Sequence, residues 1–346
     1  MPEFRLSVLD QSPISEGSTG ADALHNTLDL ARLADALGYH RYWVAEHHGT
    51  PMLACASPEV LIGPIAAATE RIRVGSGGVM LPHYSPLKVA ENFSILSALY
   101  PGRIDLALGR APGTDQLTMF ALQRDRRQAA PDDFPEQLTE LLGYLEDSLP
   151  PNHPFARLAA LPGLPEKPAV WLLGSSPQSA IWAAELGLPY AFADFINPNG
   201  AEIATEYRAR FSDSERLPAP KLAVGVMAIC ADSDEEAERL AASGRMSFSL
   251  LRQGHLIPVP PVDKAVRYLE TREKRTGGRR AVIGSPDTVR AGLEEVAAEY
   301  EAEELIVVTI THEHAARRRS YELIAEACGL TGATAASGAA DARVSS

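Results

Sequence analysis

Short apolar runs alternate with amphipathic stretches along nearly the whole chain. The apolar runs at 4–9, 40–45, 72–80, 104–108, 170–173, 190–195, 222–230 and 305–310 read as buried strands. Between and after them, hydrophobic residues recur at helical spacing over 22–37, 58–68, 87–99, 116–146, 177–186, 201–211, 234–251, 286–300 and 313–328. Gly38 stands where a helix C-cap belongs, and Pro177 where a first helical residue does. Strands that alternate with helices, with no strand left over, predict an α/β fold of the closed (β/α)8 TIM-barrel type. A doubly wound open sheet is the alternative compatible with the same alternation. Two stretches break the rhythm. The Pro-rich 149–168 is either a domain boundary or a long connection. The irregular 253–280, with Pro258, Pro260, Pro261, Gly277 and Gly278, reads as a mobile lid over the strand ends. From 330 the chain is mostly Ala, Ser, Thr and Gly. The organisation expected is therefore one domain over 1–329 and a disordered tail over 330–346.

In a parallel barrel the C-terminal ends of the strands carry the chemistry. The second predicted strand stops at Glu46-His47-His48. Two histidines just past a buried run must face water, a ligand or each other, and a helix cap with a solvated loop is the competing reading. Around the third strand end, Gly75, Gly77 and Gly78 lie in an otherwise apolar run, which they weaken. Close approach of a ligand or tight helix-on-strand packing would each explain them. The run is not a dinucleotide fingerprint, because Met80 occupies the third glycine position. Arg110 follows the fourth strand and suits a phosphate or carboxylate. Gly174-Ser175-Ser176-Pro177 joins the fifth strand to a helix. There Ser176 can cap, or free N–H groups can receive a phosphate. His312-Glu313-His314 lacks metal-site spacing and reads as a solvated helix start, and no metal is expected.

The chain has 346 residues and a formal charge of −13, which disfavours nucleic acid and anionic membrane partners. The basic clusters at 124–127 and 317–319 read as solvated helix faces. Three widely spaced cysteines, Cys55, Cys230 and Cys328, suit a reducing cytoplasm. The N-terminus runs directly into a strand, without a signal peptide or a run of membrane-spanning length.

Taken together, YWVAEHH at 42–48, VGSGGVMLP at 74–82, PGRIDLALGRAPGTD at 101–115, WLLGSS at 171–176 and AAELGLPYAFA at 183–193 resemble the bacterial luciferase-like flavin monooxygenases. The likeness runs in order over residues 4 to 328 and is nearest to the short, single-subunit-type members. It implies a barrel with FMN at the strand C-termini. His47 is then the catalytic acid–base near the reactive edge of the flavin, with His48 supporting the loop or the substrate wall. A non-proline cis peptide at Gly77-Gly78 would lie against the isoalloxazine. Arg110, Gly174, Ser175 and Ser176 fall at the flavin phosphate, and Ala45, Leu172, Tyr190, Ala191 and Phe192 line the flavin.

The activity implied is that of a two-component monooxygenase. It takes reduced FMN from a separate, transiently bound reductase and uses O2 to oxygenate a small aldehyde, ketone or similar substrate. A homodimer is expected. A deazaflavin-dependent hydride transfer on the same barrel, or a non-catalytic flavin-binding subunit, are the alternatives. Gly109 stands where the luciferase α subunit has a reactive cysteine, so no thiol is expected beside the flavin. The 253–280 stretch is shorter than the luciferase mobile loop.

Overall fold

The computed structural model describes residues 4–110, 114–123, 125–127, 132–214, 216–271, 280–330 and 332. Its strands are β1 (Arg5–Asp10), β2 (Arg41–Val44), β3 (Arg73–Met80), β4 (Ile104–Gly109), β5 (Ala169–Gly174), β6 (Tyr190–Ala193), β7 (Leu222–Cys230), β8 (Ala281–Gly284) and β9 (Glu304–Val308). The helices used below are α1 (Gly20–Leu37), α2 (Pro58–Ala67), α3 (Pro86–Leu99), α4 (Gln116–Leu122), α5 (Phe134–Leu145), α6 (Pro177–Glu185), α7 (Ala201–Arg210), α8 (Asp234–Leu251), α9 (Val262–Glu270), α10 (Pro286–Tyr300) and α11 (His314–Ala327).

All strand pairings are parallel. β1 to β7 pair in sequence order, and β9 closes the ring between β7 and β1. The predicted (β/α)8 barrel is thus formed by eight strands, with helices outside. β8 is an addition that periodicity did not reveal. It pairs only with the last residues of β7, from Met227↔Ala281 to Cys230↔Gly284, where β7 runs past its pairing with β9. Four residues between an irregular sequence and a helix carry too little pattern to mark a strand.

Strand alternation divides the core in two. Tyr42, Val44, Leu106, Tyr190, Val224 and Val307 face the helices, whereas Leu9, Trp43, Ala107, Trp171, Ala191, Ala223 and Ile306 fill the barrel. Both sides are buried because helices coat a parallel sheet. Trp43 and Trp171 meet edge to face at 5.5 Å inside the barrel.

The N-terminal end of the barrel is plugged by charge. Arg41 donates to Glu304 and to Asp105 at 2.6 Å each, Arg73 reaches Asp105 at 2.6 Å, and the Trp43 indole N–H donates to Asp105 at 3.0 Å. Arg41, Asp105 and Glu304 are all buried. A second buried pair pins the other end of β1: Arg317 donates to Asp10 at 2.5 Å, and Asp10 also accepts from the Tyr42 hydroxyl at 2.5 Å. This corrects the reading of 317–319 as a solvated face. Arg318 and Arg319 pair at the surface with Asp29 and Asp232, but Arg317 is buried, since it faces the end of β1.

Three further expectations change. The helix over 116–146 is two helices, α4 and α5, since Pro131-Asp132-Asp133 interrupt the pattern. The 149–168 connector lies along α3, with Leu161 buried and the Gly163 N–H donating to the Ser94 hydroxyl at 2.9 Å. The lid expected over 253–280 is fixed over much of its length. Val259 donates to the Ile14 carbonyl and accepts from Glu16 N–H, both at 2.8 Å, and its side chain is fully buried against the barrel interior. Residues 262–270 form α9. Residues 272–279, the loop residues 111–113 and the predicted tail, Leu330 and Gly332 apart, lie outside the described residues. No described helix is long and apolar enough to cross a membrane.

Candidate functional site

A cavity of about 440 Å³ opens at the C-terminal ends of the strands. Of the residues expected at the site, His47, Ala45, Gly77, Gly78, Arg110, Leu172, Gly174, Ser175, Ser176, Ala191 and Phe192 line it. Tyr190 does not. Ala191 points into the barrel, so its neighbour on the strand points outward. The Tyr190 ring packs on Tyr207 at 5.4 Å, and its hydroxyl meets the Ser179 hydroxyl at 2.9 Å. Tyr190 thus lies behind the wall, against Ser179 and Phe192, which do line the cavity.

The two histidines leave β2 in opposite directions. His48 turns away from the barrel and pairs with Glu46 at 2.7 Å, and its carbonyl accepts from the Thr114 hydroxyl at 2.9 Å. Glu46 is fully buried, and its second oxygen accepts the Met80 N–H at 2.9 Å. This carboxylate therefore ties the end of β2 to the end of β3. His47 faces the cavity. Its backbone N–H donates to the Cys55 carbonyl at 3.0 Å, but the buried Nδ1 finds no partner. Burial, and then the neighbouring His48, push the His47 imidazole down to about 4. At neutral pH the ring is therefore uncharged.

The Gly77-Gly78 peptide is cis. A Cβ on Gly77 would meet Leu9 at 2.6 Å and Trp43 at 2.9 Å, and one on Gly78 would meet the Ala107 carbonyl and Leu173, each at 2.6 Å. The packing reading of the glycines holds, and the bare peptide also lines the cavity.

Arg110 and the first residues of α6 line the same cavity. Arg110 is exposed, and no carboxylate among the described residues pairs with it. Ser176 occupies the N-cap position of α6, but its side chain makes no capping bond, so of the two readings open for this turn the side-chain cap is not formed. First-turn N–H groups without a side-chain cap, in the field of the helix dipole, suit an anion. Sequence reasoning missed Ser179, Phe134 and Trp182 here, and Leu9, Gln11, Trp43, Met80, Phe195 and Ile306 elsewhere in the wall. Trp182 and Ser179 carried a signal, since they lie three residues apart on one face of α6.

The three cysteines are free and buried, none lines the cavity, and burial pushes Cys55 and Cys230 up to about 12 and Cys328 to about 11. The histidines of 312–314 are engaged by neighbours: His312 meets Glu313 at 2.9 Å and His314 meets Asp29 at 2.8 Å.

These residues fit a flavin mononucleotide: an orphaned buried imidazole nitrogen, a flat bare peptide beside it, and a cation and helix N-terminus set apart for an anion. A cavity at the C-terminal mouth of a parallel barrel is where enzymes of this fold carry their chemistry. The luciferase-like monooxygenase family model matches residues 4–302, so the chain belongs to that family and is an enzyme of it. YwcH of Bacillus subtilis (strain 168), an uncharacterised protein, is 48% identical over 330 residues, covering 93% of this chain and 98% of the relative. N-acetyl-S-alkylcysteine monooxygenase of the same organism is 40% identical over 335 residues, covering 94% and 98%. The crystal structure of apo-MsnO8 superposes with a TM-score of 0.86 at 44% identity, covering 95% of this chain and 98% of that one. At 19% and 14% identity, a Baeyer–Villiger monooxygenase component solved with FMN and an F420-dependent alcohol dehydrogenase share the fold, with TM-scores of 0.68 and 0.63.

Proposed function

We propose that the protein is the oxygenase of a two-component, FMN-dependent system. It receives reduced FMN from a separate reductase and oxygenates a small organic molecule. One observation carries this reading: an unpaired, uncharged imidazole and an unpaired guanidinium beside a helix N-terminus face one cavity. When bound there, FMN supplies the redox chemistry and the activation of O2. The chain supplies position and proton handling. Arg110, the α6 N-terminus and the 174–176 turn would hold the phosphate. The 77–78 peptide and Ala45 would lie against the ring system. His47 Nδ1 would handle a proton beside it, and Glu46 keeps His47 in place by tying β2 to β3. The aldehyde, ketone or thioether oxygenated occupies the apolar side formed by Leu9, Met80, Phe195 and Ile306. Thioethers join the substrate classes because a relative is named for an S-alkylcysteine.

The protein works in a reducing cytoplasm as a homodimer. Its pairing surface is the outer face of α2 and α3, where Val60, Ile95 and Leu99 are exposed.

The test is binding and turnover in parallel. FMN, riboflavin and the deazaflavin F420 are titrated against the protein, and substrates of the three classes are then assayed with a flavin reductase, NADH and O2. FMN in preference to F420, and product only with the reductase present, are expected. Preference for F420, or product without O2, would replace this reading with hydride transfer. Flavin binding without turnover on any substrate class would leave a non-catalytic subunit.

A further inference from the structure

We infer that Trp182 is a positioning residue for Arg110. It holds the guanidinium by its flat face beside the α6 N-terminus and leaves the N–H edge free for the flavin phosphate. The inference rests on the flavin reading above and assigns a residue to it that no motif named.

Arg110 follows β4 and Trp182 lies on α6, yet the guanidinium carbon sits 5.5 Å from the centre of the Trp182 ring. That is within the roughly 6 Å over which a cation is drawn to an aromatic face. An arginine can be held by a carboxylate or by a ring, with different consequences. A carboxylate occupies the donor edge and cancels the charge. A ring touches the face and leaves both the charge and the in-plane donors available. No carboxylate among the described residues pairs with Arg110, so the ring contact is what restrains it.

Trp182 is itself held from behind. Phe134, at the start of α5, is buried, and its ring lies 5.4 Å from that of Trp182 at an interplanar angle of 36°. Trp182 and Ser179 are three residues apart on α6, so both present the same helix face, and both line the cavity with Arg110. A cation from beyond β4 is therefore held against α6 by a residue of α6, on the face that also bears Ser179 of the first turn. The dipole that attracts an anion and the charge that binds it are brought together by one contact.

The test is the ratio of riboflavin to FMN dissociation constants, which isolates the phosphate, measured by flavin-fluorescence titration. The native protein binds FMN more tightly than riboflavin. Trp182→Leu is expected to weaken FMN binding about two- to fivefold, the span of a cation–π contact at an exposed site, and to leave riboflavin binding unchanged. Trp182→Phe should keep most of the FMN affinity. In an Arg110→Ala background, Trp182→Leu should change FMN binding by less than about twofold, since the group it positions is gone.

Equal weakening of FMN and riboflavin, or a full effect of Trp182→Leu without Arg110, would make Trp182 mere cavity wall and overturn the inference. Native protein that binds riboflavin as tightly as FMN would instead refute the phosphate placement, and the inference with it. Circular dichroism checks folding, and Trp182→Met reads the same ratio should the leucine variant not fold.

Discussion

Acid should destabilise this protein through His47 in a way that can be isolated. The imidazole has an ordinary value of 6.5 and is pushed down to about 4 in the folded chain, first by burial and then by His48. Between those values the unfolded chain binds a proton that the native chain refuses. The stabilisation is therefore present above 6.5 and is lost as pH falls toward 4. At about 1.4 kcal/mol per unit, the native state forfeits at most about 2 kcal/mol at pH 5 and about 3 kcal/mol at pH 4. These are upper figures, because the ring is partly exposed. His40 is likewise held down to about 4 by burial and by Arg41, and carboxylates titrate nearby, so the native curve alone is not diagnostic. The difference between native protein and His47→Gln is diagnostic, since every other group cancels. Urea unfolding at pH 7.5 and pH 5.0 gives the four free energies required. The native protein should lose up to about 2 kcal/mol more than the variant between the two pH values. Equal losses within about 0.3 kcal/mol would mean that His47 is not buried as a neutral base, and its proposed role would fall with it.

Arg110→Ala should weaken FMN binding by about 1–3 kcal/mol while sparing riboflavin, as read by fluorescence titration; unchanged affinity would take Arg110 out of the site. Arg41→Met leaves buried Glu304 and part of Asp105 uncompensated, and should cost about 3–5 kcal/mol in urea unfolding. A loss below 1 kcal/mol would show that Arg73 suffices alone. Val259→Ala should lower stability by about 1.5–3 kcal/mol, because the side chain is a fixed part of the barrel filling; a neutral effect in thermal melts would restore the idea of a mobile 253–261. Gly78→Ala should be destabilising by about 1–3 kcal/mol, since its Cβ would press on Ala107 and Leu173.

Barrel topology was legible in the chain because it rests on period and position, and fewer than half of the cavity-lining residues were reached, several of them only through the family resemblance. Strand ends follow from apolar runs, and a strand end in a parallel barrel is a site. What escaped was set by direction or by distant pairing. Tyr190 sits in the right strand but on the wrong side of it, and one step of alternation decides that. Arg317 looked like one of three solvated arginines until Asp10, about three hundred residues earlier, proved to face it. Val259 lies among prolines that suggest a loop, yet a bridge to Ser15 fixes it. Trp182 shares a face of α6 with Ser179, but its partner Arg110 follows a strand about seventy residues earlier. The acid of Glu46-His47-His48 marked the end of a strand but not its role, which depends on an N–H from β3.

Part of the cavity wall is main chain, with no side chain attached. At Gly77 and Gly78 there is nothing to exchange for a larger or more polar group, and adding a β-carbon collides with Leu9, Trp43 or the Ala107 carbonyl. That stretch can neither drift nor be tuned by point substitution without rebuilding the barrel behind it. Divergence in what is oxygenated has to be written elsewhere on the rim, at Gln11, Met80, Phe195 and Ile196, whose side chains are free to vary around a surface that is not.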